Sequence, residues 1–233
     1  QIRALADGFR VIVYDARGHA RSGAPAGPGS YCLERFVDDL EGIVADTRSL
    51  PVVVGGLSMG AAVALAFAFA HPERVRGLVL ASFPGGRGAG AVGGVSASAF
   101  DFADALDRKG LERAGEEFVW GPRSGLEAGA AKLVRQGFLE HSPAALAAIL
   151  RELLAVLPGV DELGPRLSGL DVPVLVVAGA DDTSSLPACR GLAAALPRAR
   201  LEVIPDAGHV VNLAQPAAFN AVLRGWLEAL PGA

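Results

Sequence analysis

Three side chains that together can turn a weak hydroxyl into a nucleophile occur in this sequence in a workable order: a serine, an aspartate and a histidine. Ser58 stands in Gly56-Leu57-Ser58-Met59-Gly60, between the β-branched run Val52-Val53-Val54 and the small-residue stretch Ala61-Ala62-Val63-Ala64-Leu65-Ala66. That pattern reads as a buried strand, a sharp turn and a buried helix, with the serine at the apex. Such a turn strains the serine backbone and lifts its hydroxyl clear of the sheet. Glycines two residues before and two after are expected to remove Cβ atoms that would collide there. With thirty glycines and twelve serines in the chain, G-x-S-x-G alone says little; the strand before it and the helix after it give it weight.

A serine hydroxyl needs a base to take its proton, and the base needs a partner that fixes its tautomer and stabilises its positive charge. The sequence has four histidines, His19, His71, His141 and His209. His209 closes Pro205-Asp206-Ala207-Gly208-His209, just past the last apolar run, where a parallel sheet presents its ligand-binding edge. His19 is its competitor, because its loop also leaves the end of an apolar run. His71 precedes Pro72 at a helix end, and His141 lies in a helical insertion. For the acid, Asp181 and Asp182 stand in Gly179-Ala180-Asp181-Asp182-Thr183, the loop after Val174–Val177, and Asp15 is a third candidate that precedes the serine. The ordinary role of an aspartate in such a loop is turn formation or helix capping, which one of the adjacent pair is expected to serve.

The elements that must position these groups alternate. Val11–Tyr14, Val52–Val54, Gly77–Ala81, Val174–Val177 and Leu201–Ile204 read as short buried strands. Leu33, Phe36, Val37, Leu40, Ile43 and Val44 recur at helical spacing, and the last helix carries Phe219, Val222, Leu223, Trp226 and Leu227 with Pro216 in its first turn. Strand–helix alternation implies an α/β protein with a mostly parallel sheet and helices on both faces. The alternation breaks between Ser82 and Leu170. There a Gly/Ala/Ser stretch, Gly85 to Ala99, reads as a flexible connection, and helical patterns follow, the clearest over Leu146–Leu157. Residues 1–82 and 171–233 are therefore expected to form the core, and residues 83–170 a helical cap.

The 233 residues suit one domain, with 51% hydrophobic and 20% charged residues and a net charge of −4. The positive charge is scattered, which argues against nucleic acid or an anionic membrane as partner. Cys32 and Cys189 read as small core residues, and no Cys/His cluster has metal-ligand spacing. No apolar run is long enough to span a bilayer, and a cytoplasmic enzyme is the default expectation.

These residues resemble the α/β-hydrolase superfamily over the whole chain. The resemblance rests on Asp15-Ala16-Arg17-Gly18-His19, the elbow around Ser58, His71-Pro72-Glu73-Arg74-Val75, the loop that opens at Gly179 and Ala207-Gly208-His209. It implies a Ser58–His209–Asp182 triad, selecting Asp182 over Asp181, and makes His19 a structural loop residue. It implies one oxyanion-hole donor on the Met59 N–H. The second would lie on a His-Gly loop upstream of Gln1, and a further strand between the Val11 and Val52 runs is expected, as in part of a longer reading frame. The implied activity is cleavage of a small-molecule carboxylic ester or lactone through an acyl-enzyme, with no cofactor and no metal. A cofactor-free acyltransferase, a carbon–carbon bond hydrolase and a non-catalytic binding protein share the fold. Trp120, in the insertion, is expected either to wall the substrate site or merely to pack the cap.

Overall fold

The computed structural model describes residues 1–48, 50–86, 95–122, 124 and 126–231. Four apolar runs become strands β1 (Val52–Leu57), β2 (Val75–Ala81), β3 (Val174–Gly179) and β4 (Ala199–Ile204). They lie side by side in that order, each pair parallel. The helices are α1 (Ile2–Leu5), α2 (Leu33–Asp46), α3 (Met59–Ala70), α4 (Val95–Gly115), α5 (Ala128–Phe138), α6 (Pro143–Glu152), α7 (Val160–Ser168), α8 (Leu186–Ala195), α9 (Val211–Ala214) and α10 (Pro216–Glu228).

Period-two alternation divides the sheet into two apolar faces. Leu78, Leu80, Val174, Val176 and Ala178 join the side chains of α2, α3 and α8 on one face. Val79, Ala81, Leu175 and Val177 meet Leu5 of α1, Val211 of α9 and Phe219, Leu223, Trp226 and Leu227 of α10 on the other. Because both faces are covered, β3 is apolar and buried at every residue. Helix α3 is apolar all round for the same reason, lying between the sheet, α2 and the segment that links β2 to β3.

That linking segment carries α4 to α7, and among its described residues there is no strand. Its buried side chains, Ala103, Leu106, Leu146, Ile149 and Leu153 among them, are continuous with the first core face. The Leu146–Leu157 pattern is two pieces: α6 ends at Glu152, and a 3₁₀ turn, Leu154–Val156, follows. Of the Gly85–Ala99 connection, residues 87–94 lie outside the described residues, and from Val95 onward the chain is helical rather than loose.

One expected strand does not form. Residues 10–16 have no regular structure, and Ile12, Val13 and Tyr14 are exposed. An apolar run becomes a strand only where a neighbour accepts its N–H groups and donors meet its carbonyls, and no described strand lies alongside this one. The following loop is nonetheless fixed. Arg17 grips Asp39 of α2 with two parallel bonds of 2.7 Å and donates a third, of 2.9 Å, to the Ser30 carbonyl. Asp39→Asn removes the charged half of this fork–fork pair. The pair is partly open to water, so the expected loss is about 1 kcal/mol, or roughly 2–4 °C in Tm. A melt unchanged by the substitution would show that the loop is held by other contacts.

Candidate active site

The first component is the turn out of β1. Ser58 has φ +53° and ψ −115°, a conformation that costs about 1–3 kcal/mol for a residue with a Cβ. The turn brings the start of α3 back against the end of β1. A Cβ on Gly56 would lie 2.2 Å from the Gly60 carbonyl carbon and 2.3 Å from its oxygen, so only glycine fits. Gly60 differs from the sequence expectation: a Cβ there would meet nothing beyond its own helix. The close approach is therefore between the Gly56 Cα and the Gly60 backbone, and one glycine suffices to permit it. Ser58 N–H donates to the Ala81 carbonyl of β2 at 2.9 Å, which ties the apex to the central sheet. Met59 is the first residue of α3, where an N–H has no intrahelical acceptor.

The second component joins the loops after β3 and β4. A Cβ on Gly179 would stand 2.1 Å from the Ala207 carbonyl oxygen and 2.5 Å from that of Gly208. The Asp181 N–H donates to the Ala207 carbonyl at 2.9 Å. The β4 loop is thus laid back across the end of β3, toward β1. This places His209 Nδ1 2.9 Å from Asp182 Oδ2. Asp182 Oδ1 is occupied by the Ser184 hydroxyl at 2.7 Å and the Ser185 N–H at 3.1 Å, so Oδ2 is the oxygen left for the imidazole. The Ser185 hydroxyl lies 3.1 Å from the same His209 nitrogen. Asp182 is buried whereas Asp181 is exposed, and Asp15 pairs with Arg21 instead.

A carboxylate accepts, so His209 carries its proton on Nδ1, and Nε2 of the neutral ring keeps a lone pair. Burial by itself pushes the Asp182 carboxyl up. Hydrogen bonds from His209, Ser184 and Ser185 outweigh it and hold the group well below the usual carboxylate range. Asp182 is thus an anion at neutral pH. Among the described residues the Ser58 hydroxyl makes no hydrogen bond to His209.

Ser58 opens on a cavity of about 260 Å³. Leu57, Ser58, Met59 and Gly60 form its floor. Phe102 of α4, Phe138 of α5, Leu146, Ile149 and Leu150 of α6 and Leu154 form apolar walls, and His19 contributes from the Arg17 loop. Trp120 is not among the described lining residues; it packs edge-on against Phe138, ring centroids 5.4 Å apart, one layer behind the wall. His71 lies against Phe67 and Glu41, and His141 caps the Phe138 carbonyl and stands edge to face with His19. His19 lines the cavity, a place the family resemblance does not give it. The serine partners of Asp182 are not among the sequence expectations, although the run Asp182-Thr183-Ser184-Ser185 has the composition of a side-chain-bonded turn.

Cys189 is sealed in the core, where burial pushes its thiol up to about 11. Cys32 is only half-buried, at the start of α2, and not the core residue expected. Among the described residues no group of three His, Cys, Asp or Glu could hold a metal, and no helix is long and apolar enough to cross a membrane.

The chain matches the model of the alpha/beta hydrolase family over residues 2–222 and belongs to that family. Its parallel sheet and covering helices have the family's fold. A thermophilic esterase from Thermogutta terrifontis superposes with a TM-score of 0.83 at 30% identity, covering 98% of this chain and 83% of that one. The enol-lactonase from Burkholderia xenovorans LB400 does so with 0.83 at 26%, covering 98% and 84%. By sequence the chain is 30% identical over 227 residues to a Bacillus subtilis protein that carries the name of a 2-succinyl-6-hydroxy-2,4-cyclohexadiene-1-carboxylate synthase, with 95% of this chain and 82% of that protein covered. The family and these likenesses support a hydrolase.

Gly56→Ala forces the turn apart and lowers Tm by several degrees, whereas Gly60→Ala leaves it unchanged or raises it, since alanine is the better helix former; equal melts would contradict the asymmetry. The lowered Asp182 titration also fixes a sign. A carboxyl that titrates lower when folded contributes stability above its unfolded value, near 4, and loses it progressively as pH falls below that. Denaturant titrations between pH 5 and 3 are expected to show a smaller stability loss for Asp182→Asn than for the parent protein.

Proposed function

We propose that this hydrolase acts as a serine esterase or lactonase. The Ser58 oxygen attacks the substrate carbonyl as His209 Nε2 takes its proton. Asp182 stays ionised, holds the Nδ1 tautomer and stabilises the imidazolium. The Met59 N–H supplies one donor to the oxyanion. Collapse of the tetrahedral intermediate expels the alcohol, which receives the proton from His209. Water, deprotonated by the same nitrogen, then releases the acid from Ser58.

One observation carries the reading: the buried, doubly bonded carboxylate of Asp182 on His209 Nδ1, at the same carboxyl edge of the sheet as the strained Ser58. His19 does not fit the base as well. Its Nδ1 lies 3.0 Å from the Arg17 carbonyl, which fixes a tautomer but brings no charge to stabilise an imidazolium. The apolar walls favour an uncharged acyl or alcohol group of small to medium size.

The test is labelling with a fluorophosphonate probe together with turnover of p-nitrophenyl esters. Ser58→Ala is expected to abolish the adduct and to lower kcat by about 10⁴-fold or more, and Asp182→Asn by roughly 10⁴-fold. Retention of more than a few per cent of activity in Ser58→Ala removes Ser58 from the role. Because a carboxylate in these walls would be buried without a partner, p-nitrophenyl butanoate should exceed p-nitrophenyl hemisuccinate in kcat/KM by about a hundredfold; parity would mean that the acyl group lies elsewhere.

A further inference from the structure

In a cavity of leucine, isoleucine, phenylalanine and methionine side chains, His19 supplies a ring nitrogen that no described residue bonds. Its Nδ1 lies 3.0 Å from the Arg17 carbonyl oxygen. A carbonyl only accepts, so Nδ1 carries the hydrogen. Nε2, on the far side of the ring, makes no hydrogen bond among the described residues, and it is not among the polar atoms sealed from solvent. His19 lines the cavity, and Nε2 is its one ring nitrogen left without a partner among the described residues.

The ring's environment fixes what Nε2 can do. Burial pushes the imidazole below its ordinary range, the bond to Arg17 opposes this in part, and His141 pushes the same way as burial while Asp15 opposes it. The neutral ring therefore presents a lone pair and no proton. Its orientation is held from both sides: Arg17 is clamped on Asp39 and Ser30, and the His141 ring stands at 81° to His19 with centroids 5.0 Å apart. Beside the Ser58 hydroxyl, His19 is the one polar side chain among the described lining residues, and it is a fixed acceptor.

We propose that His19 Nε2 selects substrates whose acyl group carries a neutral hydrogen-bond donor, a hydroxyl above all, and so makes this site prefer hydroxyacyl esters or lactones over their plain alkyl counterparts. The proposal rests on the esterase reading above. A site built to bond a substrate hydroxyl discriminates against an analogue that lacks it, because the analogue strips water from the buried acceptor and returns nothing. A methyl ether keeps the oxygen but has no hydrogen to give, and it is rejected for the same reason. A carboxylate meets a lone pair and is rejected more strongly.

The experiment compares kcat/KM for p-nitrophenyl 3-hydroxybutanoate and 6-hydroxyhexanoate, each against its plain and its O-methyl analogue. At pH 7.5 at least one hydroxy ester is expected to exceed both analogues by about tenfold. In His19→Phe, which keeps a flat ring but has no acceptor, that ratio is expected to fall to about one, with the change concentrated in KM. His19→Gln, which restores a carbonyl acceptor, is expected to recover part of it. If the phenylalanine variant does not fold, the discrimination by the parent protein and the glutamine variant decide. Hydrolysis of hydroxy, plain and methoxy esters at one rate overturns the role of His19 and leaves the esterase reading standing. A ratio retained in His19→Phe also overturns it. Failure to hydrolyse any ester, with no fluorophosphonate adduct on Ser58, overturns both.

Discussion

The site depends on one close approach, that of the chain after β4 to the end of β3. In a parallel sheet the strands stand about 4.8 Å apart. β1 and β4 are the first and last of four, so an imidazole on the β4 loop begins far from a hydroxyl on the β1 turn. Residues 207–209 are laid back against the end of β3, on the β1 side of their own strand. Gly179 permits it, because the Ala207 and Gly208 carbonyl oxygens occupy the space that any Cβ would need. The Asp181 N–H then bonds the Ala207 carbonyl, so the backbone of the acid loop holds the histidine loop before any side chain does. Asp182 and His209 meet because their main chains are already joined.

Each component of the site is held this way, by backbone first and side chain second. Ser58 is fixed by its N–H on Ala81 and by the passage of Gly56 under Gly60. The unfavourable φ of Ser58 persists because strand pairing on one side and the buried helix α3 on the other over-determine it. Asp182 is held charged in a buried place by one backbone donor, one hydroxyl and one imidazole. A carboxylate so bonded can orient a neighbour without taking its proton. Rigid placement of a few polar groups in apolar surroundings is what electrostatic stabilisation of a developing charge requires.

Much of this was legible in the sequence, and the reasons are physical. A β-branched run that meets a small-residue helix through Gly-x-Ser-x-Gly has few ways to fold, so the turn at Ser58 and the strands at 75–81, 174–179 and 199–204 could be read from local pattern. The run at Val11–Tyr14 has the same local pattern and forms no strand, because pairing is a property of the neighbour and not of the segment. Gly60 looked equivalent to Gly56 by spacing, yet only three-dimensional approach distinguishes them. The Trp120 expectation depended on which ring of an aromatic cluster faces inward. Phe102 and Phe138 do so and Trp120 stands behind, a choice made by the packing of α4 against α5 and α6.

The division between core and linking helices also decides what kind of selectivity the site can have. The floor around Ser58 belongs to the sheet and is fixed by hydrogen bonds, whereas the walls are side chains of α4, α5 and α6, held by apolar contact. Apolar walls discriminate weakly: one methylene more or less changes rates by only about 10–200-fold. Strong discrimination has to come from a polar atom whose bond is lost when the wrong group enters. The walls supply none among their described residues, and the floor spends its hydroxyl on chemistry. The atom left for that purpose is on His19, whose loop is clamped to α2 by Arg17 and so moves with the rigid core. Specificity and reactivity are then referred to the same frame, while the helices above can vary in shape without disturbing either.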